Sequence, residues 1–575
     1  MADSDSTADD GTTYDQAAYD RTTDVVVVGS GGGLCGAVAA ATSGLDTLVI
    51  EKQSMIGGST AMSGGVLWLP DNPLMRADGV PDSLEDALAY FESVVGDVGP
   101  ASSRERRIAY ITEGSDMVRF LQGLGLRFER CEGYSDYYAQ VAGIRGGSAR
   151  GRSIEPAVTD ARRLGPWREK LMPGMTAALG IVVMTREAST LQLIKRRPRA
   201  VRTALRVGLR TAVGRLRRQA RLANGAALVA QALEAALAAG ATVWTDTGLV
   251  DLIVEDGRVA GVVASRDGRT VRIRARRGVL LSSGGFARNA DLRRRYSKQP
   301  NDGSWTIANP GDTGEAIEAA QRVGAAVDLM DEALWIPASI QPGGRPSLHT
   351  GERSKPGSII VDRAGRRYFN EAVSYMEAGR RMYAHNTAGE SIPSWLVMDS
   401  RHRGRYLFAF RANTPGEWIA SGYMKRADTL EGLARACGID PDGLAATVER
   451  FNGFARQGTD PDFHRGEGAH ERYQGDYGNR PNASLAPVEK APFYAVELYP
   501  GDVGTSGGLL CDEFARVLDT DHDPIPGLYA AGNCTASVMG RTYLGAGASI
   551  GNSCVFSYIG MKHAAHVVSA DPVAT

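Results

Sequence analysis

Val25, Val26, Val27 and Val28 run straight into Gly29-Ser30-Gly31-Gly32-Gly33, and these glycines open an alanine-rich stretch from about Cys35 to Ser43. A second apolar run, residues 47–50, then stops at Glu51. A short β-branched run without polar alternation reads as a strand buried on both faces, and two such strands joined across a helix read as parallel neighbours. Glycines at the first turn let backbone approach a ligand closely. The helix behind them offers unpaired N–H groups and the positive end of its dipole to a pyrophosphate, while an acidic residue ending the second strand suits a ribose hydroxyl. The glycine register stays open. Counting G-x-G-x-x-G from Gly29 puts Leu34 in third place, and counting from Gly31 gives Gly31, Gly33 and Gly36 but begins deeper in the turn.

The residues after Glu51-Lys52 point to FAD over a nicotinamide. Gly57-Gly58-Ser59-Thr60 and Ser63-Gly64-Gly65 form a second run of small and hydroxylic residues, where a flat ring system can lie against backbone. Far along the chain, Gly527-Leu-Tyr-Ala-Ala-Gly-Asn533 reads as a buried strand returning to the nucleotide fold, and Gly545-Ala-Gly-Ala-Ser-Ile-Gly551 begins a helix whose amides face the pyrimidine end of a flavin. The expected cofactor contacts are Gly29, Ser30, Gly31, Gly33, Glu51, Lys52, Gly58, Ser59, Thr60, Ser63, Gly64 and Gly65 from the amino-terminal part. Leu249, Ser283, Gly284 and Asp312 join them from the middle of the chain, with Gly532, Asn533, Ser549 and Ile550 from its end.

Short strands at 250–254, 258–263 and 270–273, separated by turns at Asp256-Gly257 and Asp267-Gly268, predict a β-meander. It leads into a buried strand ending at Ser282-Ser283-Gly284-Gly285, and Asn309-Pro-Gly-Asp-Thr-Gly314 opens a helix running to about Ala325. The expected class is α/β: a Rossmann-like FAD-binding domain with a β-meander, made of residues 24–330 and 488–575, plus an inserted α+β substrate-capping domain at 331–487. Substrate would lie at the seam.

At 575 residues the chain exceeds one ordinary core, which agrees with this division. Lys plus Arg total 65 against 66 Asp plus Glu, so no overall charge argues for a nucleic-acid partner. Six cysteines without a C-x-x-C pair argue against disulfides or structural zinc and fit a reducing cytoplasm, and eight histidines show no ligand-spaced cluster, so no metal is expected. Residues 1–23 read as an acidic disordered tail, neither signal peptide nor anchor, and no stretch approaches the roughly 20 apolar residues of a spanning helix. Residues 195–221 are intensely basic with no acidic residue, and Val201, Leu205, Leu209, Val213 and Leu216 recur near helical spacing. Two readings stand: docking on an anionic membrane surface, or a solvated helix whose apolar stripe packs on the body of the protein.

Beyond the flavin motifs, the chain carries Gly133-Tyr-Ser-Asp-Tyr-Tyr138, Gly151-Arg-Ser-Ile-Glu-Pro156, Gly365-Arg-Arg-Tyr-Phe-Asn-Glu371 followed by Tyr375, Pro500-Gly-Asp-Val-Gly-Thr-Ser-Gly-Gly508 and Gly540-Arg-Thr-Tyr-Leu-Gly-Ala-Gly547. In this order they resemble, end to end, the 3-ketosteroid Δ1-dehydrogenases within the fumarate reductase and succinate dehydrogenase flavoprotein group. The resemblance implies that Tyr375 is the base taking the C2 proton of a 3-ketosteroid, with Tyr137 its hydrogen-bonding helper. It also implies that Tyr543 and the Gly547 amide hold the C3 carbonyl oxygen, and that N5 of a noncovalently bound FAD accepts hydride from C1. A quinone-type or other acceptor would reoxidise the flavin. Tyr138 is an alternative helper if the loop register differs, and Tyr134 a weaker one. Where many relatives have prolines, this chain has Leu544 and Ala546, which leaves the preferred steroid open. The competing readings are a Δ4-(5α)-dehydrogenase, a fumarate-reductase-like ene reductase, for which the turn before Gly507-Gly508 lacks the family's histidine, and a non-catalytic flavin-binding, membrane-associated protein.

Overall fold

The computed structural model describes residues 18–567. Its larger sheet runs, from edge to edge, through the strands Arg516–Leu518, Pro524–Ala530, Arg269–Leu281, Arg21–Val28, Thr47–Ile50 and Thr242–Trp244. Arg21–Val28 is parallel to Thr47–Ile50 on one side and to Arg269–Leu281 on the other, as two apolar strands crossed by one helix require. The meander is present as Thr247–Glu255, Arg258–Arg266 and the first half of Arg269–Leu281, all antiparallel. The second half of Arg269–Leu281 becomes a core strand, parallel to Pro524–Ala530.

The tail expected over residues 1–23 ends sooner than its composition suggests. Arg21, Thr22 and Thr23 already pair with Ile273, Arg274 and Ala275, because backbone pairing on an established strand does not need apolar side chains. Residues 1–17 lie outside the described residues. The first helix is Gly33–Thr42, buried along most of its length and packed on the C-terminal helix Ala548–His566. Each of the two glycine counts contains a position that admits no side chain. Gly29 takes φ +102°, where a Cβ would stand 2.4 Å from Ser282 O; at Gly36 one would stand 2.7 Å from Ser557 O, so Gly36 is what lets the two helices close together. The helix expected to reach Ala325 is shorter, Glu315–Arg322.

The second sheet orders as Pro346–Leu348, Ala333–Ile340, Phe493–Thr505, Ser394–Met398 and Ser358–Val361, with Met424–Ala427 also on Phe493–Thr505. The long strand Phe493–Thr505 is thus the centre of the sheet expected to end at residue 487, and the chain returns to the nucleotide-binding sheet only after it. Its run of alternating apolar residues fits either sheet, so no local signal marks the true boundary. Period-two alternation gives this sheet two apolar faces. Ile359, Val361, Trp395 and Val397 pack under one layer, while Ile360, Leu396, Met398 and Val496 pack with Ala378 and Met382 of the helix Tyr375–His385.

Residues 198–216 form one helix, Pro198–Leu216, but its apolar stripe does not pack on the protein. The buried side is Ala200, Thr203, Val207, Thr211 and Gly214, whereas Val201, Leu205, Leu209 and Leu216 are 45%, 68%, 67% and 86% exposed. Val213 is half-buried. Small residues let the helix sit close on its neighbours and leave the larger apolar side chains in solvent.

Candidate active site

A cavity opens at the carboxyl ends of the parallel strands, beside the glycine turn. Gly29, Ser30, Gly31, Glu51, Lys52, Gly58, Ser59, Thr60, Leu249, Ser283, Gly284, Asp312, Asn533, Ser549 and Ile550 all line it. Gly33, Ser63, Gly64, Gly65 and Gly532 do not. Gly33 starts the first helix, Ser63 Oγ donates to Thr60 O at 2.7 Å, and Gly64 O accepts Thr185 Oγ1 at 2.7 Å, so these residues shape the cradle from behind. Sequence reasoning passed over Gly32, Gln53, Thr247, Ser282, Asn309, Gly311, Glu315 and Ser553, which also line it and whose polar or small character carries no motif of its own.

The donor set fits FAD. No side chain caps the helix Gly33–Thr42; its Leu34 and Cys35 N–H groups turn back to Gly31 O and Gly32 O at 3.2 and 3.0 Å, so a pyrophosphate would meet the glycine-turn backbone at the positive end of the helix. Glu51 is held in place by Ser30 Oγ at 2.6 Å and Gln53 N at 2.9 Å. Asp312 faces the cavity with its carboxyl pushed up to about 7 by burial, against the opposing pull of Ser59 Oγ, which donates to it at 2.9 Å, and of Lys52. Of the side chains lining the cavity none is His, Cys or Tyr, the usual points of covalent flavin attachment.

Next to Ser549 and Ile550 stands a cluster of tyrosines drawn from three distant segments. Tyr375 is the first residue of the helix Tyr375–His385, whose other side is fixed on the second sheet. Its ring centroid lies 5.4 Å from that of Tyr137 and 5.2 Å from that of Tyr543, and Tyr137 and Tyr543 are 5.8 Å apart. The Tyr543 hydroxyl accepts Ser549 N–H at 3.3 Å, and the nearby Gly547 N–H helps to hold its pKa down against burial. Gly547 itself has φ +92° and is pressed so closely on Val66 that a Cβ would lie 2.2 Å from Val66 O. The loop lacks the relatives' prolines and is held by other means: Leu544 O accepts Tyr137 N–H at 2.9 Å and Tyr90 Oη–H at 2.8 Å, and Ala546 O accepts Ser153 Oγ–H at 2.8 Å.

Tyr138 turns away from this cluster. Its hydroxyl lies toward Ser374 and Glu377, so Tyr137 is the tyrosine of that loop whose ring meets Tyr375. Burial pushes the Tyr375 and Tyr137 hydroxyls well above the ordinary tyrosine range, and a hydrogen bond shared between them would lower the acceptor and raise the donor. Tyr134 and His470 extend the cluster, with ring centroids 6.4 Å and 4.2 Å from Tyr137, and Tyr473 stacks on Tyr134 at 4.7 Å. His470 and Tyr473 come from the short helix Ala469–Gln474; their three-residue spacing puts both on one face, but nothing in the local sequence ties that face to a site.

The FAD binding domain family matches residues 24–550. The chain is 42% identical to a 3-oxosteroid 1-dehydrogenase of Mycolicibacterium smegmatis over 93% of its own length and 96% of that protein. It is 36% identical to a 4-oxocyclohexanecarboxylate 2-dehydrogenase of Sinomonas cyclohexanicum, over 94% and 92%. Among solved structures it resembles a 3-ketosteroid Δ1-dehydrogenase from Sterolibacterium denitrificans in complex with 1,4-androstadiene-3,17-dione, with TM-score 0.89, 36% identity and coverage of 95% and 99%.

Proposed function

The chain belongs to the FAD-binding 3-oxosteroid 1-dehydrogenases, and from that premise we propose that it desaturates C1–C2 of a 3-ketosteroid with Tyr375 as base, Tyr137 as its helper, and Tyr543 with the Gly547 amide on the C3 oxygen. One observation carries these roles: the Tyr543 hydroxyl, the Gly547 N–H and the Tyr375 ring converge beside Ser549 and Ile550, which line the cofactor cavity. Two donors on the carbonyl oxygen stabilise the enolate charge that develops as the neighbouring C–H is lost, and each such donor is worth about 10²- to 10³-fold in rate. Tyr375 takes the C2 proton, and Tyr137, its ring centroid 5.4 Å away, is placed to donate a hydrogen bond that would favour the ionised form of Tyr375. FAD, when bound, supplies the two-electron acceptor for the hydride leaving C1.

Anaerobic mixing with a panel of 3-ketosteroids and 4-oxocyclohexanecarboxylate tests the substrate class. Bleaching of the yellow colour by a 3-ketosteroid is expected, with a Δ1 product by NMR; a Δ4 product would move the reaction to other carbons, and no bleaching by any ketone would leave a flavin-binding protein without this activity. The cavity lining also supports noncovalent FAD, so acid precipitation should leave the flavin in the supernatant.

We also propose that the helix Pro198–Leu216 rests on an anionic bilayer. Its exposed Val201, Leu205, Leu209 and Leu216 are flanked by arginines, and an open basic cleft lined by Arg127, Arg162, Arg163, Arg210 and Arg221, with Asp160 its one acidic member, adjoins the helix. Among the described residues no helix is long and apolar enough to cross a membrane, so contact would be at the surface. Cosedimentation with phosphatidylserine-containing vesicles at low salt should be at least about tenfold weaker for a Leu205→Glu, Leu209→Glu double variant than for wild type, given the apolar area removed. Equal sedimentation of the two, or none with either, would discard the membrane reading.

A further inference from the structure

A phenol is a useful base only as its anion, and burial opposes the anion at Tyr375, Tyr137 and Tyr543 alike. The neighbouring tyrosines offer hydrogen bonds but no positive charge. His470, packed on Tyr137, does not offer one either, because burial and the nearby Arg353 hold its imidazole down to about 3. Arg353 is the cation left at the cluster. It sits fully buried in the turn Glu352–Ser354, and its guanidinium donates to His349 O at 3.1 Å, to Val373 O at 2.6 Å and to Glu371 O. All three acceptors are neutral carbonyls.

Of the two carboxylates near it, Glu371 is already neutralised by other arginines. Glu371 accepts two bonds from Arg367, at 2.7 and 2.8 Å, and one from Arg465 at 3.0 Å, which also neutralises Arg465. Glu352 accepts Ala409 N–H at 3.2 Å and lies 4.0 Å from His349. A buried guanidinium without an ion-pair partner among the described residues is costly to keep, and besides Glu352 and Glu371 the Tyr137 hydroxyl stands near enough to favour the charged form of Arg353 when that phenol is ionised. Two of its carbonyl partners, Glu371 and Val373, belong to the segment that delivers Tyr375 to the start of its helix.

We propose that Arg353 is the counter-charge of the Tyr375–Tyr137 pair: a positioning residue that never touches substrate, fixes the backbone leading to Tyr375 and offsets the charge of the ionised base. The inference rests on Tyr375 being that base. In the reactive state Tyr137 donates its hydrogen bond to the Tyr375 oxyanion, Arg353 balances the negative charge, and the proton arriving from C2 neutralises the oxyanion. That proton must leave to solvent before the next turnover.

Arg353→Met and Arg353→Lys in the full-length, FAD-loaded protein separate charge from shape. For Arg353→Met the acid limb of the kcat–pH profile should move to higher pH by at least about one unit, with kcat at pH 7 down about tenfold or more and KM changed less than about twofold. The ultraviolet phenolate difference band should rise at correspondingly higher pH. Arg353→Lys keeps the charge and should hold the limb within about half a unit of wild type. A lowered kcat in Arg353→Met with an unmoved limb and band would reduce Arg353 to a structural prop and overturn the proposal. Should Arg353→Met fail to fold, Arg353→Lys decides: a limb displaced as far as a full unit would also overturn it. If Tyr375→Phe is inactive while the Arg353 variants leave the limb in place, only the counter-charge fails; if Tyr375→Phe still turns over, the base assignment itself fails.

Discussion

Tyr375→Phe should lower kcat by about 10³-fold or more while leaving FAD bound, near the upper end of what a positioned acid–base group contributes. The two halves of that expectation have separate causes. Tyr375 does not line the cofactor cavity, and its helix is held on the second sheet by Ala378 and Met382, so losing one hydroxyl should disturb neither the cofactor nor the fold. The variant loses the acceptor for the Tyr137 hydrogen bond and the atom that receives the C2 proton. Tyr137 can turn its hydroxyl toward Tyr134, whose own hydroxyl it also reaches, which keeps the stability cost near the ~1 kcal/mol of one hydrogen bond. Exchange of the substrate's C2 deuterium into water, followed without turnover, isolates the proton step. It should vanish with kcat. Exchange at the wild-type rate with slow turnover would move the base role elsewhere, and near-normal turnover would remove it from Tyr375 altogether.

The nucleotide-binding half was readable because its determinants are local. The apolar run 25–28, the glycine turn and Glu51 fall within one strand–helix–strand unit, and each residue's role comes from backbone geometry alone. Even there, why Gly36 must be glycine could not be read locally, because what presses on it is Ser557 O from the far end of the chain. The site was legible only in part. Tyr375, Tyr137 and Tyr543 stood out through motif resemblance, and nothing in composition or spacing separates Tyr137 from Tyr138; that distinction lies in which ring the fold turns toward Tyr375. His470, Tyr473 and Arg353 were invisible for the same reason, being brought in by the packing of the second sheet's surroundings rather than by any repeated pattern. The boundary near residue 488 misled because Phe493–Thr505 alternates as a strand of either sheet would.

Gly547→Ala is expected to be as damaging as the loss of a catalytic side chain, although it adds only a methyl group. At φ +92° an alanine is strained by roughly 1–2 kcal/mol, and the new Cβ would meet backbone, 2.2 Å from Val66 O and 2.3 Å from Val66 C, where no flexible side chain can yield. The loop must therefore move. Leu544 and Ala546 tie it to Tyr137, Tyr90 and Ser153, so relief is to be found mainly at residue 547 itself, tilting its N–H away from the Tyr543 hydroxyl and from the position proposed for the C3 oxygen. A misdirected donor costs about 10²- to 10³-fold in kcat, as a missing one does. Tyr543→Phe supplies the control, since it removes the other donor without backbone strain and should lose rate by a similar factor, with a melting temperature lowered only by what the ~1 kcal/mol of the lost Ser549 hydrogen bond costs. Gly547→Ala should show the rate loss together with a lowered melting temperature. A variant that melts lower yet turns over at the wild-type rate would mean that the Gly547 amide does not hold the carbonyl oxygen, and that the close packing on Val66 serves the fold alone.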